Sequence, residues 1–208
     1  MHMSQPVHNV PGADAVLQFW FGELDEHGLS DDEHVPRWFK KSAEFDATVV
    51  DRFAADHEAA RTGGRAAWLS SPRGSLAYII VLDQFSRNMF RGDPGSWATD
   101  VQALAAAKSL IDSGADQALR THERVFVYMP LMHSENIADQ ERCIALFQNL
   151  VDESVGQAKD AVSNNVAYAV MHRDIVARFG RFPHRNAILG RVSTPEEVEF
   201  LTQPGSSF

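Results

Sequence analysis

Apolar residues in this chain recur three or four positions apart, as on one face of a helix, and almost nowhere alternate with polar residues as in a half-buried strand. No Asn-Gly or Asp-Gly turn lies between apolar runs, so hairpins are not indicated either. The spacing therefore predicts an all-α fold of about eight helices, arranged as antiparallel pairs in a bundle or a short solenoid.

Capping residues and glycine or proline stops give the expected helix boundaries. The expected helices cover residues 13–21, 42–62, 71–90, 99–111, 121–132, 136–151 and 159–179, with a last helix starting at 194. A polar, acidic loop is expected between 22 and 36. Because no linker-like stretch interrupts the pattern, residues 1–208 are predicted to form a single all-helical domain.

Composition indicates the cellular compartment and the classes of partner to expect. The single cysteine, Cys143, excludes an intramolecular disulfide and fits a reducing compartment. The longest apolar run has eight residues, whereas a membrane-spanning helix needs about 20. The start of the chain lacks the features of a signal peptide, so a cytoplasmic location is expected. The net charge of −9 argues against nucleic acid as a partner.

Positive charge is concentrated near the end of this acidic chain. Residues 172–191 contain five arginines and two histidines against one aspartate. Such an island favours a small or local anionic partner. Within it, the segment 178–185 is predicted to form an anion site, since arginine can hold a carboxylate or phosphate through two hydrogen bonds. The cations of that segment are Arg178, Arg181, His184 and Arg185.

Polar residues also interrupt helices that are otherwise apolar. Asp83 follows the run 76–82 on the same face, so it is predicted to be buried and paired with Arg87 one turn later. His133 and Glu135 follow the apolar run 125–132 in the same way. His172 shares a helix face with apolar residues, a pattern more typical of a satisfied core histidine than of a ligand.

Several kinds of chemistry have no motif in the sequence. A glycine-rich phosphate loop, a nucleophile elbow and a Cys-x-x-Cys pair are absent, so no cofactor is expected. The i, i+2 spacings of His133 with Glu135 and of His172 with Asp174 put the paired side chains on different sides of a helix. No metal site is therefore predicted.

Taken together, several segments resemble the bacterial domain-of-unknown-function family 924. They are residues 16–22 (VLQFWFG), 82–88 (LDQFSRN), 131–135 (LMHSE), 139–142 (DQER), 178–186 (RFGRFPHRN) and 204–208 (PGSSF). Ser86 departs from the pattern, which leads us to expect proline there. The resemblance implies an all-helical, tetratricopeptide-like fold and a bacterial protein, but it implies no activity and no catalytic residues.

Three hypotheses for the function stay open at this point. The chain is a binding protein with an Arg- and His-lined pocket for a small anionic ligand or an acidic peptide group. Alternatively, it is an enzyme that uses Asp, His and Glu as acid–base groups on an anionic substrate, or a protein-interaction scaffold whose buried ion pairs are purely structural. The oligomeric state is left open. The candidate ligand-binding residues are Asp83, Arg87, His133, Glu135, His172, Arg178, Arg181, His184 and Arg185.

Overall fold

A computed structural model describes residues 12–207, of which the great majority are helical and none lies in a strand. Nine helices span this part of the chain. They are α1 (Ala13–Phe21), α2 (Val35–Phe39), α3 (Ala43–Arg61), α4 (residues 72–89), α5 (Asp100–Asp112), α6 (Thr121–Met132), α7 (Ile137–Glu153), α8 (Gly156–Phe179) and α9 (Pro195–Phe200). The predicted all-α class is confirmed, whereas the tetratricopeptide-like arrangement stays a prediction. No helix in residues 12–207 is long and apolar enough to cross a membrane.

Helix α2 is the element that the sequence patterns did not predict. It lies within the polar segment that separates α1 from α3, and Pro36 stands in its first turn. Its Trp38 indole N–H donates to the Trp20 carbonyl oxygen at 2.8 Å, and the ring contacts Phe126 edge-on. Because these partners are distant in sequence, no local periodicity could reveal the helix.

Helix α6 forms the centre of the core. Eleven of its twelve residues are buried, all but Thr121, and it packs against α4, α5, α7 and α8. On one side, Phe126 joins an aromatic cluster with Trp20, Phe21 and Trp38. A helix that is buried all round needs neighbours on every side, so the apolar run 125–132 accounts for its central position.

Helix α4 changes register halfway along. Residues Pro72–Ile79 and Ser86–Met89 are α-helical, and Ile80–Phe85 between them are π-helical. The Leu82 carbonyl oxygen accepts hydrogen bonds from the Ser86 hydroxyl at 2.7 Å and the Thr99 hydroxyl at 2.6 Å. These hydroxyls satisfy a carbonyl within the widened turn. Short π segments of this kind occur often at functional sites, and this one contains Asp83.

The chain turns sharply after α8 and folds back across the end of α6. Gly180 adopts a left-handed conformation with φ of 68°, which a residue with a side chain rarely takes. Phe182 is then fully buried against Ile175 and Val176 of α8. This return places residues 182–185 beside the last turn of α6, and thus beside His133.

Candidate functional site

Asp83 is the most deeply buried charged group near the proposed site. Its side chain is 1% exposed, and its Oδ1 atom lies 2.8 Å from His133 Nδ1 and 3.1 Å from Arg87 Nη1. The Gln84 side-chain amide donates to Oδ2 at 2.6 Å. The prediction of a buried Asp83 paired with Arg87 is therefore confirmed, and the structure adds His133 as a second partner.

Burial alone would raise the pKa of the Asp83 carboxyl. The charge of Arg87 and the hydrogen bond from His133 outweigh burial, and the pKa lies below its ordinary value. The group is therefore a carboxylate at neutral pH. Because a carboxylate can only accept hydrogen bonds, His133 Nδ1 carries the proton of the neutral ring.

Arg87 joins helix α4 to the start of α5. Its guanidinium donates to both carboxylate oxygens of Asp100, at 2.9 and 3.1 Å, and to the Asp83 carbonyl oxygen at 2.7 Å. Asp100 was not among the predicted site residues. The sequence offers only its place in the first turn of a helix, which is an ordinary position for a solvated acid.

A cleft of about 310 Å³ opens next to this network. Trp97, Asp100, Pro130, His133, Glu135 and Arg185 are among the residues that line it. Three of these, His133, Glu135 and Arg185, were predicted from the sequence. Asp83 and Arg87 do not line the cleft. Asp83 holds the lining residue His133, and Arg87 holds the lining residue Asp100.

Arg185 is the cation of the cleft and is 7% exposed. Its Nη2 donates to the His133 carbonyl oxygen at 3.0 Å, and its Nη1 lies 3.7 Å from Asp100, which already holds Arg87. The guanidinium stacks over the Phe182 ring at 4.5 Å. Its Nε atom is buried and has no hydrogen-bond partner among residues 12–207. Burial, followed by repulsion from Arg87, lowers the pKa of Arg185 to about 10.

Glu135 anchors the returning chain beside the cleft. Its carboxylate accepts hydrogen bonds from the Phe182 backbone N–H at 2.8 Å and from Arg191 at 2.8 and 3.0 Å. Burial would raise the pKa of Glu135, but Arg191 and the Phe182 N–H lower it further than burial raises it. Glu135 is thus an ionised structural anchor with its partners already in place.

His172 and His184 lie behind the cleft rather than in it. His172 contacts the His133 and Phe182 rings, and its Nδ1 lies 2.8 Å from the Tyr168 carbonyl oxygen. The His184 ring also contacts the Phe182 ring. Burial is the main cause that lowers the pKa of His172 to about 3 and that of His184 to about 4. Both rings are neutral at pH 7.

Arg178 and Arg181 are not brought to the cleft. Arg178 is largely exposed and pairs with Glu196 at 2.8 Å. Arg181 holds the buried Glu197 through two bonds of 2.6 and 2.7 Å. Both acids belong to α9, so these arginines attach the last helix to α8 and to the turn after it. Of the segment 178–185, the structure leaves only Arg185 in a position to meet a ligand in the cleft.

The structure also contains site residues that the sequence patterns missed. Trp97 lies in the segment that connects α4 to α5, and Asp100 is the first residue of α5. Arg191 follows the predicted anion segment by six residues. None of them interrupts an apolar run, which was the signal used. Across residues 12–207, no group of three His, Cys, Asp or Glu side chains could hold a metal ion.

A family model and a solved structure match this chain. The family model described as "Bacterial protein of unknown function (DUF924)" matches residues 16–205. The solved structure of ATU0120, a protein of unknown function from Agrobacterium tumefaciens, is 41% identical with a TM-score of 0.77, covering 91% of this chain and 96% of that one. No curated protein matches the chain.

The first prediction concerns the stability that depends on Asp83. Asp83→Ala should lower the free energy of unfolding by about 3–5 kcal/mol, because Arg87 loses a buried counter-charge. The matched control is Asp112→Ala, which removes an exposed aspartate and should cost under about 0.5 kcal/mol. Urea unfolding followed by circular dichroism measures both. Equal effects of the two variants would contradict the central place of Asp83.

The second prediction concerns the pH dependence of folding. Burial lowers the pKa of His122 to about 4 and of His172 to about 3, and it also lowers that of His57, His133 and His184. The unfolded chain therefore binds protons below about pH 6.5 that the folded chain does not bind.

Stability should accordingly be highest near neutral pH and fall as the pH is lowered from 7 to 5. At pH 5, His122 and His172 should each cost about 2 kcal/mol of unfolding free energy relative to pH 7 and above. Urea unfolding at half-unit pH steps gives the number of protons taken up on unfolding. An unfolding free energy that stays constant between pH 7 and 5 would refute the neutral, buried histidines.

Proposed function

We propose a function on the basis of the cleft, because this chain belongs to the bacterial family DUF924, which is described as a protein of unknown function. In this proposal, the chain binds a small anionic ligand, and Arg185 is the residue that holds the anion. The proposal keeps the first of the three hypotheses. It moves the anion site from the whole segment 178–185 to its last residue.

The observation that carries the proposal is the incomplete pairing of a buried cation. A buried charge is costly unless it is paired and hydrogen-bonded. Arg181 and Arg191 each hold a carboxylate through two hydrogen bonds. Arg185 instead shares Asp100 with Arg87 at a distance of 3.7 Å and donates to one backbone carbonyl. An anion in the cleft would supply the missing acceptors.

The shape of the cleft supports a small ligand rather than a protein surface. A volume of about 310 Å³ is at the lower end of the range of small-molecule sites, roughly 300–1,000 Å³. Trp97, Pro130 and Leu189 provide apolar walls, and the polar groups converge at Arg185 and His133. The Phe182 ring against the guanidinium, with Glu135 holding the Phe182 backbone, limits the ordering cost of binding.

The third prediction tests Arg185 against an arginine outside the cleft. Acetate, propionate and phosphate are added at an ionic strength matched with chloride, and thermal unfolding is followed. A bound anion at 100 times its Kd should stabilise the native protein by about 2.7 kcal/mol. Arg185→Met should abolish this increment. Arg178→Met, which removes an exposed arginine, should retain it.

A further variant guards against a loss of structure in Arg185→Met. Arg185→Lys keeps the charge but not the planar fork, so it should fold and bind the anions more weakly than the parent. If none of the anions stabilises the parent beyond chloride, or if Arg178→Met and Arg185→Met lose the increment equally, Arg185 is not the anion site.

The Asp83–His133 hydrogen bond of 2.8 Å favours a second candidate function, general base catalysis. The Nδ1–H of His133 donates to Asp83, so Nε2 keeps a lone pair. His133 lines the same cleft as Arg185. A carboxylate that orients a histidine in this way is the arrangement used by many acid–base enzymes. Such a base could remove a proton from a carbon atom next to the carbonyl group of a bound 2-oxo acid.

The fourth prediction separates catalysis from binding alone. If His133 is a general base, the protein should accelerate the exchange of the C3 protons of pyruvate for deuterium in D2O, measured by proton NMR. The His133→Gln variant should exchange them at the rate of buffer alone. Bound pyruvate without accelerated exchange would contradict this candidate and leave the binding function intact.

A further inference from the structure

We infer that the cleft takes a small monocarboxylate that carries a hydroxyl group next to the carboxylate, with the carboxylate on Arg185 and the hydroxyl donating to His133 Nε2. The inference rests on the proposed anion site and adds the chemical class of its ligand. It follows from three properties of the cleft: its charge, the hydrogen-bonding state of His133 and its apolar walls.

Charge balance around the cleft favours an anion with one charge over one with two. Three arginines, Arg87, Arg185 and Arg191, face three carboxylates. These carboxylates are Asp83, Asp100 and Glu135. Asp100 and Glu135 line the cleft themselves and would repel a phosphate dianion or a dicarboxylate. A single carboxylate can pair with Arg185 while adding the least repulsion.

His133 presents an acceptor beside this cation. Its Nδ1–H donates a hydrogen bond to the ionised Asp83. Within residues 12–207, the ring makes hydrogen bonds through Nδ1 only, so Nε2 is available as an acceptor. The side chain keeps 15% of its surface exposed and lines the cleft. Arg185 donates to the backbone carbonyl of the same residue, and both side chains line the same cleft. A ligand that fills the space between them needs a donor for Nε2.

A hydroxyl group meets this requirement better than an ammonium group. Burial, and then the nearby Arg87 charge, lower the pKa of His133, so the surroundings already disfavour a positive charge on the ring. The same surroundings would disfavour an ammonium group placed against Nε2, with Arg185 adjacent. A hydroxyl group is neutral and supplies the donor. The walls formed by Trp97, Pro130 and Leu189 suit the short hydrocarbon part of such an acid.

Three acids that share one carbon skeleton test the inference. Propionate, lactate and alanine differ at C2 by a hydrogen atom, a hydroxyl group and an ammonium group. Isothermal titration calorimetry at pH 7.5 should give lactate a Kd about tenfold lower than that of propionate, as expected for one added hydrogen bond to a partly buried acceptor. Alanine should bind more weakly than propionate.

Two substitutions locate the selectivity. His133→Phe should bring the Kd of lactate up to that of propionate while both still bind, and Arg185→Met should abolish the binding of both. His27→Phe is the matched control, since His27 lies outside the cleft and is exposed, and it should leave both Kd values unchanged.

The outcomes distinguish the recognition of the hydroxyl group from the anion site at Arg185. Equal Kd values for lactate and propionate in the parent protein would overturn the hydroxyl recognition and leave the anion site standing. Tighter binding of alanine than of lactate would also overturn it, in favour of an amino-acid site. If no carboxylate binds, the anion site fails as well. The parent protein alone decides these cases, so the inference stays testable even if His133→Phe fails to fold.

Discussion

The ionised carboxylate of Asp83 is the group on which the arrangement of the cleft depends. It is fully buried, so it requires partners of opposite charge and hydrogen-bond donors. Arg87 meets this requirement from the same helix, and His133 from the residue that follows α6. Arg87 in turn holds Asp100, which fixes the start of α5. One carboxylate thereby sets the tautomer of His133 and joins three elements around the cleft.

The π-helical segment accounts for how Asp83 can face this network from within an apolar helix. A widened turn leaves carbonyl groups less well bonded than an α-helix does, and here the Ser86 and Thr99 hydroxyls complete the bonding of Leu82. Buried His57 bonds the Ser86 hydroxyl in turn, at 2.8 Å. Proline, which the family resemblance led us to expect at residue 86, has no hydroxyl to offer. The serine therefore changes how the turn is held and leaves Asp83 with the partners described.

The C-terminal part of the chain supplies the cation and holds it in place. Arg181 and Arg191 are each engaged by a carboxylate, Glu197 and Glu135, and they attach α9 and the returning segment to the helices. Their pairing fixes the backbone around Phe182, on whose ring Arg185 stacks. The structural reading of the buried ion pairs and the binding hypothesis are thus compatible, because different arginines of the same island perform the two tasks.

Local periodicity and capping residues were enough to determine the helical class, the extent of most helices and the burial of Asp83 with Arg87, because these follow from contacts three or four residues apart. The sequence patterns did not predict helix α2 or the π register of residues 80–85, since partners distant in sequence stabilise both. Trp20 is the partner of α2, and Thr99 is the partner of the π-helical segment. The basic island identified Arg185 together with Arg178 and Arg181 but could not separate them. Only the tertiary structure decided that α9 engages two of these arginines and that the third lies beside His133 and Asp100. Ion pairing between segments depends on which helix ends meet in space, and residue spacing along the chain does not encode it.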